Sequence, residues 1–324
     1  MSTQKLKVAV IGASGIGKNH ARWFHGHGCD VVAFVGSSPE SVASTQKVLE
    51  QGFGFNGRGY HDLQEMLQVE KPDAVCISSP PQLHHSQAIL CLGAGAHVLC
   101  EKPLVGDEAR PAREMIAEAQ HLVQEAEKSG LVFGTQMQYA TAVQHIRNLA
   151  GLAPDEPVRD WMMEMETKTV RPGRGDEKIW IDLSPHPLSV LQKWDGHATI
   201  DWSSVQCEVQ SKETDARFNV ALDGGVCAAR VVVRVNPDRA TPLRRFIINE
   251  RTIEYSARNN QHGQFHTFLK SDDGREVELR DLVDILIGNF VAACRGQEPL
   301  LVSGADGAKN VEWQLKILEA ASKS

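Results

Sequence analysis

The sequence predicts an α/β chain: a doubly wound parallel sheet, followed by an α+β domain with an open, mostly antiparallel sheet. Three observations predict it. Short buried apolar runs alternate with helical segments over the first 140 residues, and a glycine-rich turn joins the first run to the first helix. After about Gly151 strand follows strand, with hairpin turns between several of them.

Leu6 to Ile11 is a continuous apolar run, as expected of a strand buried on both faces, and Gly12 ends it. Lys18 to His27 reads as a helix stopped at Gly28, and Val31 to Val35 as the second strand. Pro39 opens a helix where its missing N–H costs nothing. Phe53-Gly54-Phe55 reads as a short third strand and His61 to Val69 as a helix closed by Lys71-Pro72. Ala74 to Ser78 and His97 to Cys100 follow as strands, with Gln82 to Leu92 as the helix between them. Glu108 to Ser129 is a long helix and Leu131 to Thr135 a sixth strand. Strands spaced by helices pair in parallel through right-handed crossovers. Ligands then bind at the carboxyl ends of the strands, near the switch point, which directs attention to residues 12–17, 36–38, 78–84 and 101–103.

In the second half Val158 to Val170, Thr199 to Gln210, Arg217 to Leu222, Val226 to Val235, Arg245 to Tyr255 and Gln264 to Leu269 read as strands. Asp223-Gly224-Gly225 and Asp272-Asp273-Gly274 are hairpin turns, and one helix lies around Pro187 to Lys193. Leu282 to Cys294 and Ser303 to Ala321 are helical. The expected division is a dinucleotide-binding domain over 1–129, with the helix 303–324 packing back on it, and a substrate-binding and oligomerisation domain over 130–302.

At 324 residues the chain suits two domains better than one. A net charge of −7 gives no positive field for nucleic acid or an anionic membrane, and no apolar run approaches a membrane span. The seven cysteines form no CxxC pair, so neither a zinc site nor a disulfide framework is expected, and a reducing cytoplasmic setting is. His84 and His85 have no carboxylate or cysteine at ligand spacing, so no metal is expected.

Gly12-Ala13-Ser14-Gly15-Ile16-Gly17 lies between strand and helix, where backbone N–H groups and the positive helix end suit a pyrophosphate. The match to GxGxxG is partial, because Ser14 stands where the second glycine is usual. An NAD enzyme usually ends the second strand with Asp or Glu, which holds the ribose 2′-hydroxyl. Here Gly36-Ser37-Ser38 offers no carboxylate, and two hydroxyls are available to a 2′-phosphate, which favours NADP slightly over NAD.

Ser79-Pro80-Pro81-Gln82-Leu83-His84 after the fourth strand and Glu101-Lys102-Pro103 after the fifth make a family nameable. Together with Ile11-Gly12 to His20 and Tyr60-His61-Asp62, their order and spacing resemble the glucose–fructose oxidoreductase/inositol dehydrogenase/MocA family. The resemblance is clear over the first ~140 residues. It returns at Asp182-Leu-Ser-Pro-His186 and in Pro299 to Gly307. It implies a Rossmann domain and an open-faced sheet acting on sugars, cyclitols and related polyols. It also implies Lys102 beside nicotinamide and substrate, His186 as acid/base, and Asp182 beside His186. Gly12, Ser14, Gly15, Ile16, Gly17, Gly36, Ser37, Ser38, Ser79, Pro80, His84, Glu101 and Lys102 are the expected cofactor residues, with His84 lining the nicotinamide cleft and His85 facing solvent.

Oxidising a secondary alcohol requires a group to take the hydroxyl proton, which a neutral imidazole does well near pH 7. With Pro187 as first helical residue, His186 would stand at a helix N-terminus, whose positive end disfavours imidazolium. Lys102 would hydrogen-bond the forming alkoxide, and the Lys102–Pro103 bond is a candidate cis peptide. Relatives often carry glycine and aspartate where this chain has Ser184 and Ser189. The usual basic set after the sixth strand is replaced by Gln136-Met137-Gln138-Tyr139, which argues for a neutral, hydroxyl-rich substrate contacted by Gln136 and Gln138. Arg171, Arg174 and Lys178 leave an acidic sugar open. The alternative function is a dinucleotide-sensing regulator without catalysis, against which the retention of Lys102 and His186 speaks. An exposed open sheet predicts a homodimer or homotetramer formed through that face.

Overall fold

The computed structural model describes residues 5–153, 156–170 and 175–321; Arg171 and Arg174 lie outside the described residues. The chain divides into two compact units, Met1–Gln136 with Val283–Ala308 and Met137–Leu282 with Lys309–Ser324.

The first unit runs β1 (Lys7–Ile11), α1 (Gly17–Gly26), β2 (Asp30–Val35), α2 (Pro39–Phe53), β3 (Arg58–Tyr60), α3 (Leu63–Glu70), β4 (Ala74–Ile77), α4 (His84–Gly93), β5 (His97–Glu101), α5 (Ala112–Ser129) and β6 (Phe133–Gln136). The strands pair in parallel in the order β3-β2-β1-β4-β5-β6. The order reverses between β1 and β4, so the switch point lies at their carboxyl ends. Val8, Ala9 and Val10 are fully buried, the burial expected of a central strand covered on both faces.

Three elements differ from expectation. Phe53 ends α2 and is not part of a strand, because Gly54 takes the left-handed conformation that caps the helix; the third strand comes later, at Arg58–Tyr60. The long helix begins at Ala112, after Pro111, with extended backbone at that proline. The stretch before α4 is a short 3-10 turn, Pro81–Leu83, so the helix itself starts at His84.

In the second unit come α6 (Val143–Leu149), β7 (Asp160–Thr167), α7 (Lys178–Leu183), α8 (Pro185–Gln192), β8 (Thr199–Gln210), β9 (Glu213–Leu222), β10 (Gly225–Val235), β11 (Leu243–Ile248), β12 (Arg251–Asn259), β13 (Phe265–Ser271) and β14 (Glu276–Arg280). They form an eight-stranded sheet in the order β14-β13-β12-β11-β7-β10-β9-β8, antiparallel except where β10 pairs with β7. The expected single strand Arg245–Tyr255 is two strands, β11 and β12. Asn249 and Glu250 both take positive φ (45° and 70°), the backbone of a two-residue hairpin turn whose twist matches its strands.

Along β7, Trp161, Met163 and Met165 are buried on one face, while Glu164 and Glu166 point to the other. That other face carries a ladder of ion pairs. Burial pushes the Glu164 carboxyl up, but the Arg234 and Arg245 guanidiniums outweigh it and hold it below its usual range. Asp215 lies between Arg217 and Arg230 at 2.8 and 2.6 Å. Each of these two carboxylates is therefore shared by two guanidiniums.

The chain ends in α9 (Leu282–Cys294) and α10 (Gly304–Ala321). In the first unit Phe290 of α9 meets Phe24 edge to face at 6.2 Å, and a Cβ on Gly288 would lie 2.6 Å from the His27 ring. The first turn of α10 lies equally close on β6. A Cβ on Gly304 or Gly307 would fall 2.1 Å from Phe133 Cδ1 or Thr135 Oγ1, so both positions require glycine.

Candidate active site

The glycine turn fills the switch point. Gly12 has φ +80°, and its N–H donates to Val35 O at 2.9 Å. A Cβ there would sit 2.6 Å from Ser78 O, and one on Gly17 would sit 2.7 Å from Gly12 O. Both glycines are needed for close backbone approach, whereas Gly15 has no atom within 4 Å of its Cβ position. Ser14, Gly15 and Ile16 are exposed, so the crest of the loop stays open above the start of α1. At the end of β2, Gly36 packs against Val42 and Ser37 is exposed. Ser38 caps α2, its hydroxyl oxygen accepting from Ser41 N at 3.2 Å. The same hydroxyl holds the Glu40 carboxyl below its usual range.

At the carboxyl end of β5 Glu101 and Lys102 are buried and the Lys102–Pro103 peptide is cis. Glu101 accepts from Lys102 N at 3.1 Å. His84, fully buried, sets its ring nitrogens 2.8 Å from Ser79 O and 3.0 Å from Pro103 O, tying the Ser79-Pro80 stretch to the Lys102-Pro103 turn. Clamping two backbone segments is what the geometry gives it, rather than a place on an open wall. The Ser79 hydroxyl donates to Gln87. His85 is half-buried, with Nε2 3.2 Å from His121 Nδ1. Among the described residues no cluster of three or more His, Cys, Asp or Glu is arranged to hold a metal.

Sequence reasoning missed His20 as a site residue. It is fully buried on α1, with Nδ1 3.1 Å from Ser78 Oγ and 3.3 Å from Cys76 Sγ. Its Nε2 lies 3.3 Å from Glu101 Oε1 without the angle of a hydrogen bond. Burial lowers its pKa to about 4, so near neutral pH the ring is neutral and the contact is not an ion pair. Gln136 pairs in register with Glu101 and is 1 % exposed. Neither polar atom of its amide finds a partner among the described residues, and an orphaned buried amide beside Lys102 is a group prepared for a ligand.

In the second unit the helix expected at Pro187 begins at Pro185, and α7 precedes it almost without a break. His186 therefore sits in the first turn of α8, 8 % exposed, with Asp182 four residues before it on α7. Trp180, Ile181 and Ser184 are held by Gln314 of α10: its side-chain amide donates to Ser184 Oγ at 2.9 Å and to Ile181 O at 3.0 Å, and its backbone carbonyl accepts from Trp180 Nε1 at 2.9 Å. Asn310 donates to Pro185 O at 3.1 Å. Ser189 Oγ donates to His186 O at 2.7 Å. The two serines that depart from the family pattern thus both have structural bonds.

The Tyr139 ring meets His186 edge to face at 4.9 Å, and its hydroxyl accepts from Arg244 Nε at 3.1 Å. Gln138 is half-buried, its carbonyl accepting from Thr141, and Lys178 is half-buried at the start of α7.

The glycine cradle that any Cβ would fill and the orphaned Gln136 amide fit a nicotinamide dinucleotide along the carboxyl ends of β1, β4, β5 and β6. Fold and loop together define a Rossmann-type dinucleotide-binding domain followed by an open-sheet domain. Residues 6–137 match the model of the glucose–fructose oxidoreductase/inositol dehydrogenase/MocA oxidoreductase family, described as an NAD-binding Rossmann fold. A relative, D-glucoside 3-dehydrogenase of Escherichia coli K12, is 35 % identical over 124 residues, 38 % of this chain and 34 % of that enzyme. The aligned part thus spans about a third of that relative. UDP-N-acetylglucosamine 3-dehydrogenase of Acidithiobacillus ferrooxidans aligns over 96 % of both chains at 22 % identity. Its solved structure gives a TM-score of 0.73 at 20 % identity with 99 % of each chain covered. Scyllo-inositol dehydrogenase of Lactobacillus casei, solved with NAD(H) and scyllo-inositol, gives 0.74 at 17 % identity over 99 % of this chain and 98 % of that one. These structural likenesses establish the fold.

Proposed function

We propose that the chain is an NAD(P)-dependent oxidoreductase that moves hydride between nicotinamide and a secondary alcohol or ketone carbon of a sugar, sugar derivative or cyclitol. The observation that carries this reading is the buried Lys102, set between Glu101 and a cis proline and beside the orphaned Gln136 amide, within the residues that match this oxidoreductase family's model. A bound nicotinamide supplies the two-electron acceptor or donor. Lys102 donates a hydrogen bond to the reacting oxygen and stabilises it as charge develops. In the oxidising direction the His186 imidazole takes the hydroxyl proton, and in the reducing direction it returns one. Asp182 orients His186 or the substrate, and the Gln136 and Gln138 amides bind substrate hydroxyls. A regulator without turnover has less support, since it needs neither Lys102 nor His186.

For the cofactor, the exposed Ser37 and the absence of a carboxylate ending β2 support NADP, while Glu40 beside Ser38 opposes a 2′-phosphate. The two effects offset, and we propose an NADP preference of less than about tenfold, under ~1.4 kcal/mol. The seven cysteines, all free thiols, support a cytoplasmic setting. Titration with NADP and NAD, followed by a sugar and polyol panel read at the reduced-nicotinamide absorbance, tests the reading. Tight binding of either dinucleotide and turnover of at least one panel member are expected. Tight binding without turnover across the panel would favour the regulator.

A further inference from the structure

We propose that Arg244 forms an anion-binding subsite beside His186, and that the substrate is a sugar acid or polyol acid carrying a carboxylate. The inference deepens the function proposed above and rests on His186 facing the substrate. It departs from the neutral substrate that Gln136 and Gln138 suggest.

Arg244 stands apart from the other arginines of its sheet. On β9, β10 and β11, Arg217, Arg230, Arg234 and Arg245 all pair with Asp215, Glu164 or Glu213. Strand alternation puts Arg245 on the ion-pair face and turns Arg244 to the opposite face with Phe246 and Ile248. There it is half-buried, and among the described residues no carboxylate lies within ion-pair distance of it. An arginine cannot discharge itself by losing its proton, so a cation held partly out of water invites an anion.

The guanidinium is also fixed in place. Nη1 donates to Glu166 O at 2.8 Å and to Leu243 O at 2.7 Å, and Nε donates to Tyr139 Oη at 3.1 Å. These bonds use three of its five N–H groups and leave the two on Nη2, held rigidly, to meet an acceptor. A purely structural arginine would be expected to commit that edge to the protein as well. Tyr139 links the cation to the chemistry, because the phenol that accepts from Nε packs its ring on His186 at 4.9 Å. Cation and imidazole therefore lie one phenol apart, a separation comparable to the span of a pyranose. A carboxylate at one end of a sugar would reach Nη2 while a ring hydroxyl reaches His186.

The test is calorimetric binding of D-glucuronate, D-galacturonate and D-gluconate to the intact protein, with NAD or NADP present. D-glucose and methyl glucuronate ester serve as uncharged counterparts, and inorganic phosphate as the competing anion. At least one sugar acid is expected to bind tenfold or more tighter than its uncharged counterpart and than phosphate. Arg244→Met should abolish that preference and Arg244→Lys should reduce it, while Arg258→Met, on the exposed end of β12, should leave it unchanged. Equal binding of acid and neutral sugars by the wild-type protein overturns the inference without any variant, as does binding of no sugar acid at millimolar concentration. A preference that survives in folded Arg244→Met also overturns it, and a preference for phosphate would reassign the subsite. Turnover is read separately. A sugar-acid preference without any change in nicotinamide absorbance would sink the redox reading and leave the subsite standing.

Discussion

His20 shows how a single buried side chain ties α1 to the ends of β4 and β5. It sits on α1, touches Ser78 after β4 and lies against Glu101 at the end of β5, so one ring spans three segments of the first unit. Its folded pKa, about 4, lies below the ~6.5 of an unfolded histidine. The unfolded chain therefore binds a proton first as pH falls. The stability contributed by keeping the ring neutral is complete above about pH 6.5 and is lost progressively down to about pH 4. Between pH 7.5 and 5 the loss from this one group is about 2 kcal/mol. Burial also lowers the pKa of His85 and His97, so the comparison must be made against a variant. In urea melts His20→Asn should be less stable at pH 7.5 and should lose about 2 kcal/mol less than wild type on going to pH 5. Parallel losses in the two proteins would show that His20 is not held neutral. Gly12, Lys102 and His186 stand out as candidates in the sequence because each belongs to a short local motif. His20, Tyr139 and Arg244 do not, because their partners lie far along the chain, 105 residues away for Arg244 and Tyr139.

Among the elements, the parallel sheet was legible almost strand by strand, because strands buried on both faces are unbroken apolar runs. The open sheet was read less well. The turn between β11 and β12 uses Asn249-Glu250, not the Asn-Gly pair that advertises a hairpin, and β14 alternates charged and apolar residues at an edge. The α7–α8 pair depends on a partner that no periodicity reveals: Gln314, 130 residues beyond Ser184. Replacing Gln314 by Leu would leave the Ser184 hydroxyl and the Ile181 carbonyl buried without the side-chain amide that meets them, while the Trp180 indole N–H keeps the backbone carbonyl of residue 314. Each such loss costs about 1–3 kcal/mol, so a total of about 2–5 kcal/mol is expected, allowing for relaxation. Because these bonds hold the helices that carry Asp182 and His186, kcat should fall at least tenfold while dinucleotide affinity stays within twofold. A stable variant with full kcat would show that Gln314 does not position His186.

For the whole molecule, the reading proposed above assigns the dinucleotide to the first unit and the acid/base pair Asp182 and His186 to the second. The expected boundary was drawn at residue 129 and the second domain was run to 302, whereas compactness divides the chain after Gln136, after Leu282 and again within α10 after Ala308. The end of a sheet strand, the start of α9 and the first turn of α10 have no compositional marker, which is why none of these borders was visible. Among the described residues no helix is long and apolar enough to cross a membrane. We propose that the ion-paired face of the open sheet is covered by a second copy of the chain. Light scattering should give twice or four times the 35.6 kDa chain mass, and a monomer at micromolar concentration would contradict this.

The most direct trial of the account is Lys102→Ala, assayed side by side for dinucleotide affinity and for turnover of the best substrate. Turnover should fall at least a hundredfold, about 2.7 kcal/mol of transition-state stabilisation, while the dissociation constant for the dinucleotide moves less than threefold. Turnover at the wild-type rate would remove Lys102 from the chemistry and the redox assignment with it.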